Sequence, residues 1–146
     1  MVEFVPFVPG HLAVLRLQAA QDLLQPLLAD PAYGVSIAVP GLSWSGITDG
    51  SVIGCAGILP QSPGRAIAWA LIGSIPARDW VAVTGMVRRQ IAEARRHGLW
   101  RIEAVVRADF PAGRRWVEAL GFACEGLMRA YGPDRSDCYL YARVDG

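Results

Sequence analysis

Carboxylates, arginines and a tyrosine are spaced along the C-terminal half of the chain in ways that suit proton transfer or ion pairing. Glu125 and Arg129 lie four residues apart in Phe122–Tyr131, a stretch that reads as a strand, so both project from one face. Two roles stay open for them, a structural ion pair or contact with a substrate. Glu103 sits in the middle of another strand-like stretch, on the polar phase with Arg101. It is either a base acting through water or an exposed strand glutamate. Asp109 precedes a short helix and serves either as its cap or as a catalyst. Tyr131, at the end of its strand, is either a proton donor or a rim aromatic. Cys55, Cys124 and Cys138 have no metal-type spacing and read as reduced, mostly buried thiols, with Cys124 on the inward phase with Phe122. His11 and His97 are far apart and lack companions, so neither a zinc site nor a triad is expected.

The elements that must position these groups follow from periodicity. Glu3–Val8 alternates weakly, and Pro6 confines it to a sheet edge. Leu12, Leu15, Ala19, Leu23 and Leu24 recur at helical spacing, and Pro26 divides that region into two short helices. Pro31, Gly34, Pro40 and Gly41 mark loops around the apolar run Val35–Val39. Three strands follow, Ser43–Thr48, Ser51–Leu59 and Arg65–Ile72, the first pair joined by the hairpin signal Asp49-Gly50. Asp79 can cap a helix running to about His97. Trp80, Val83, Val87, Ile91 and Ala94 form its apolar face, and Gly98 is its stop. Trp100–Arg107 alternates as a strand, Pro111 opens a short helix ending at Gly121, and Phe122–Tyr131 and Asp137–Val144 are the last strands. The order is β-α-α-β-β-β-α-β-α-β-β. It predicts an α/β chain of the α+β type, one mixed sheet of six or seven strands with helices on both faces.

Composition sets outer limits. The chain of 146 residues fits one domain spanning its whole length. Hydrophobic residues make up 53%, enough to leave room for a second buried surface such as a homodimer face. Net charge is +1, so no global field draws the chain to nucleic acid. No apolar run approaches a membrane span, and Glu3 near the N-terminus argues against a signal peptide, so a cytoplasmic protein is expected. All 14 basic residues are arginine. A GC-rich coding sequence accounts for that bias, so an arginine is not by itself a sign of bidentate recognition.

The stretch from Asp79 to Val144 reads helix, strand, short helix, strand, strand, centred on LGFACEGLMRAYGPD. It resembles the C-terminal half of the GCN5-related N-acetyltransferase (GNAT) superfamily, especially the branch that acetylates N-terminal amines of ribosomal proteins. The phrases RRWVEALGF and CEGLMRAYGPD also resemble GNAT-fold proteins encoded in phages and prophages. The resemblance implies acetyl-CoA as co-substrate and a small-molecule or peptide amine as acceptor, with no nucleic acid or membrane partner. It places Arg78 at the basic position of the pyrophosphate loop, Val81 and Val83 at its two small positions, and Thr84 at a phosphate-touching hydroxyl. Valine methyls there would narrow the cradle, and Arg78 and Asp79 would then simply open a helix. Ile72 and Ser74 are placed to pair through backbone with the pantetheine arm, and Trp44 in the acceptor pocket. The family's usual proton-donating tyrosine and its asparagine fall on Val117 and Phe110, neither of which can donate a side-chain hydrogen bond. Tyr131 or Glu103 would then handle protons. The implied activity is an N-acetyltransferase acting on an unidentified amine. The alternative is a catalytically silent GNAT-fold protein with a structural or ligand-sensing role.

Overall fold

Asp49 and Gly50 both take left-handed backbone, with φ of 51° and 78°. That is the geometry a two-residue hairpin demands, and it turns β2 (Ser43–Thr48) into β3 (Ser51–Ser62). A second tight turn at Gly64, φ 80°, leads into β4 (Arg65–Ile72). A Cβ at Gly64 would lie 2.2 Å from the Trp100 ring, so the turn requires glycine on both counts. With β1 (Glu3–Pro6), β5 (Arg101–Arg107), β6 (Ala123–Met128) and β7 (Cys138–Val144), the strands pair in the order β1-β2-β3-β4-β5-β7-β6. The β4–β5 pair is parallel and the other registered pairs are antiparallel, so the sheet is mixed, as the periodicity predicts. Helices α1 (Gln25–Leu28), α2 (Pro31–Ile37), α3 (Trp80–Arg96) and α4 (Pro111–Ala119) complete the fold.

The computed structural model describes residues 1–145. They form two compact units, one of Met1–Leu59 with Trp69–Ala92, the other of Pro60–Ala68 with the chain from Glu93 onward. In the first, Phe7, Leu12, Leu15, Leu28, Ile37, Cys55 and Leu71 make a buried cluster, flanked by Trp69. Trp69 lies edge-on to Phe7 at 5.4 Å and covers Gly57, where a Cβ would be 2.6 Å from the indole. In the second, Ile102, Ala104, Val106, Val117, Leu120, Phe122 and Tyr141 are buried.

The structure departs from the expected elements in several places, the first being β3, which runs to Ser62 and not Leu59. The N-terminal helical stretch is mostly 3-10 turns, Pro9–Ala13 and Ala19–Leu24, before the single turn of α1. The apolar run expected between loops is helix α2. Asp30 accepts a hydrogen bond from the Ala32 N–H at 3.0 Å and Pro31 supplies the first helical φ. β6 stops at Met128, short of Tyr131, because Ala130 turns to φ 53° and gives its N–H to Asp137 at 2.9 Å. Cys124 is exposed, not inward, because β6 is the outermost strand and its inner phase is left uncovered.

Candidate functional site

In the first unit, the chain enters α3 through a 3-10 turn, Ala77–Asp79, behind Pro76. The Asp79 N–H bonds to the Pro76 carbonyl at 2.8 Å. Asp79 stands immediately before α3, at the position from which the sequence has it cap the helix; it is buried, and its carboxylate accepts the Thr48 hydroxyl at 3.0 Å. Arg78 reaches Asp49 across the same hairpin at 3.3 Å, with both side chains well exposed. Such a pair is worth little and is easily exchanged for another anion. Thr84 lies half-buried in the second turn of α3. Val81 and Val83 do not share a face: Val81 is 82% exposed and Val83 is 7% exposed. Two helical residues apart is about 200° around the axis, so only Val81 lines the outer surface of the helix start, and Val83 belongs to the core.

The edge of β4 carries the other positions the resemblance assigns. The Gly73 N–H donates to Ile53 of β3 at 2.8 Å. By alternation, the backbone groups of Ala70 and Ile72 face the opposite edge, the one β5 pairs earlier in the strand. That registered pairing ends at Ile67 with Glu103. Past that point, the Ile72 N–H donates to Gln21 Oε1 at 2.8 Å and the Ile72 carbonyl accepts the Gln18 N–H at 2.8 Å. The Ala70 carbonyl accepts Gln21 Nε2 at 2.8 Å. Ser74 is exposed just beyond. Gln18 and Gln21 went unnoticed in the sequence because their partners lie about fifty residues away, and glutamine in a polar turn carries no periodic signal.

Trp44 is half-buried on β2, paired with Pro6 and Ala56. It shares their face and lies opposite Ser45. Ser45 is buried, bonds His11 Nδ1 at 2.7 Å, and lies 3.3 Å from Cys55 Sγ. Burial pushes the Cys55 thiol up to about 11, which makes it an inert core group.

In the second unit, Glu103 is held twice. Arg101 Nε donates to it at 2.6 Å and Arg65 Nε at 3.0 Å. Its side chain is only 14% exposed. Arg101 also grips Glu125 with two bonds, 3.0 and 2.6 Å. It reaches across β7 at Ala142, which is registered between Glu103 and Ala123 and is too small to obstruct. The Arg101 hydrogen bonds, followed for Glu103 by those of Arg65, hold both carboxyls below the usual glutamate range. A depressed carboxylate is a weak base. Glu125 therefore pairs with Arg101 and not with Arg129. The ladder shifts register between Cys124 and Gly126, and Arg129 lies past the end of the strand, so four-residue alternation no longer relates them.

Arg107 clamps Asp109 with two bonds, 3.0 and 3.1 Å, and reaches Asp134 at 3.1 Å. Asp109 is thus a salt-bridge partner, and the N-cap position of α4 is Phe110, which makes no side-chain cap bond. The Phe110 ring packs on Gly113, where a Cβ would lie 2.5 Å away, and Val117 is buried. Both usual donor positions are packed apolar. Tyr131 is 58% exposed in the turn after β6. The sequence reading passed over Tyr141, fully buried on β7, whose hydroxyl donates to Glu118 at 2.8 Å and accepts from Arg114 Nε at 3.1 Å.

No protein-family model matches the sequence, and a search of curated proteins gives no match. Solved structures do match, over nearly the whole chain. The ribosomal-protein-alanine N-acetyltransferase of Brucella melitensis is 16% identical with a TM-score of 0.75, over 98% of this chain and 99% of that one. The ribosomal-protein-S18-alanine N-acetyltransferase of Escherichia coli is 18% identical with a TM-score of 0.72, over 99% and 94%. A GNAT-family acetyltransferase of Streptococcus pneumoniae is 15% identical with a TM-score of 0.64, over 100% of each chain. The chain has the fold of the GNAT acetyltransferases.

Proposed function

We propose that the protein is an acetyl-CoA-dependent N-acetyltransferase acting on an amine of a small molecule or peptide. The observation that carries this reading is the end of the β4–β5 register at Ile67, within a fold matched end to end by N-acetyltransferases. Past Ile67 the Ala70 and Ile72 backbone lies on the β4 edge opposite the one that the Gly73 N–H pairs with Ile53. In this reading that backbone, with Ser74, holds the pantetheine amides. The start of α3 and Arg78 meet the pyrophosphate, where helix dipole and guanidinium both favour an anion. Arg78 exchanges its exposed partner Asp49 for phosphate. Thr84 adds a hydroxyl, Val81 borders the cradle, and Val83 supports it from the core. Trp44, Glu125 and Arg129 are the residues proposed to meet the acceptor.

The chemistry asks for an amine lone pair to attack the thioester carbonyl, for the C–S bond to break, and for a proton to reach the departing thiolate. Glu103, held ionised between two arginines, is a weak base and takes the amine proton only through water. Tyr131, exposed in its turn, supplies the thiolate proton. Positioning carries most of the acceleration, and turnover is slow. The test is release of free coenzyme A thiol with a panel of small amines and peptide N-termini. Tyr131→Phe should lower kcat and leave KM for acetyl-CoA unchanged. A complete lack of transfer to every amine would sink the reading. The packed apolar side chains of Val117 and Phe110 favour a second reading, a catalytically silent structural or ligand-sensing protein, which turns over no amine at all.

A further inference from the structure

We propose that Gln21, with the backbone of Gln18, is an intramolecular latch on the cofactor track of β4. This deepens the reading above and rests on its assignment of Ala70 and Ile72 to the pantetheine arm. A glutamine side chain ends in an amide, with a carbonyl acceptor and N–H donors. A pantetheine arm offers the same two groups. Gln21 presents its carbonyl to the Ile72 N–H at 2.8 Å and its Nε2 to the Ala70 carbonyl at 2.8 Å. The Gln18 N–H completes the set on the Ile72 carbonyl, at 2.8 Å. All three backbone groups are thus taken by the chain itself. Gln18 Nε2 braces the Gln21 carbonyl at 3.2 Å, which fixes the amide in this orientation.

The approach is close by design of the strand end. A Cβ at Gly73 would lie 2.8 Å from the Arg16 carbonyl and 3.1 Å from Leu15, so glycine lets the connector press onto β4. Gln25 holds that connector from behind, accepting the Leu17 N–H at 2.9 Å and donating to the Leu15 carbonyl at 3.0 Å. The turn that carries Gln21, Ala19–Leu24, has no buried residue. Leu24 of the turn packs partly buried against the core cluster and anchors it, and the hydrogen bonds that the latch gives up are neutral ones that an incoming amide restores. A ligand that must displace the latch sees only the open fraction of the protein, and its apparent affinity falls by that fraction.

Two variants open the latch in different ways. Gln21→Ala removes the side-chain amide. Gln18→Pro removes the backbone donor and the side-chain brace on Gln21 but leaves the Gln21 amide in place, at a φ of −60° that proline already favours. Hydrogen exchange at the Ile72 amide, read without cofactor, should be slow in the native chain and at least about tenfold faster in Gln21→Ala. Calorimetry with acetyl-CoA should give about tenfold tighter binding for Gln21→Ala, the loss of a competitor worth one or two hydrogen bonds. Gln18→Pro should shift binding the same way by less. If the native chain binds acetyl-CoA and both variants bind it no more tightly, the latch is overturned while the cofactor assignment stands. If none of the three binds acetyl-CoA, the latch and the cofactor assignment fall together.

Discussion

The start of α3 and the Glu103 cluster on β5 treat their polar groups in opposite ways. At the start of α3, Arg78 has one exposed partner, Asp49, and the neighbouring β4 edge is closed by neutral amides from Gln18 and Gln21. Every one of those contacts is exchangeable for a ligand group of the same kind. Around Glu103, four charged side chains, Arg65, Glu103, Arg101 and Glu125, lock one another in a partly buried chain across the strands. Charge-assisted bonds of that sort are about twice as strong as neutral ones and leave no group idle. The difference separates binding from chemistry. The residues that would hold a cofactor are held loosely, whereas the carboxylate that would serve as base is committed to structure.

The sharpest contrast is in stability. Arg101→Met should cost about 1–2 kcal/mol, since it takes from the largely covered Glu103 the shorter of its two charge-assisted bonds. Arg78→Met should stay within about 0.5 kcal/mol, as for other exposed pairs. Chemical denaturation of both variants measures this directly, and equal costs would erase the distinction between the two regions. A similar contrast holds within α3. Val83→Ala should cost about 2 kcal/mol through lost burial and the void left behind, and Val81→Ala less than about 0.5 kcal/mol. A reversed order in melting experiments would mean that the helix presents a different face.

Acid should act on the Glu103 cluster first. Glu103, Glu125 and Asp109 have folded pKa values below their ordinary ones, so their contribution is complete above the unfolded values and is lost as pH falls through the folded ones. Stability should therefore hold from neutral pH to near the unfolded glutamate value of about 4.3 and decline below it. Arg101→Met should flatten the decline. A native chain whose melting temperature fell between pH 7 and 5 would place the controlling group elsewhere.

The sheet was legible because period-two and period-3.6 patterns alternate without interruption, and because Asp49-Gly50 leaves one hairpin geometry. The same patterns failed where a single residue changes phase. The shift at Cys124/Gly126 and the turn at Ala130 remove Glu125 from Arg129 and leave Cys124 in solvent. Asp30-Pro31 is a helix start by its capping chemistry, yet the same pattern fits a loop, because proline and glycine also punctuate loops. In the candidate site, the sequence names Arg78, Glu103 and, on the same phase, Arg101, but not the distant partners. Asp49, Arg65 and Gln21 are brought to them by the fold alone, across 29, 38 and, for Gln21 on Ile72, 51 residues.

The central claim is that the start of α3 and the β4 edge form a cofactor site whose contacts are exchangeable. Calorimetric titration of the native protein and of Arg78→Ala with acetyl-CoA tests it most directly. The account predicts saturable binding by the native chain and about tenfold weaker binding by Arg78→Ala, the loss of one charge-assisted hydrogen bond. No saturable heat with the native chain, or identical affinity in the two proteins, would contradict it.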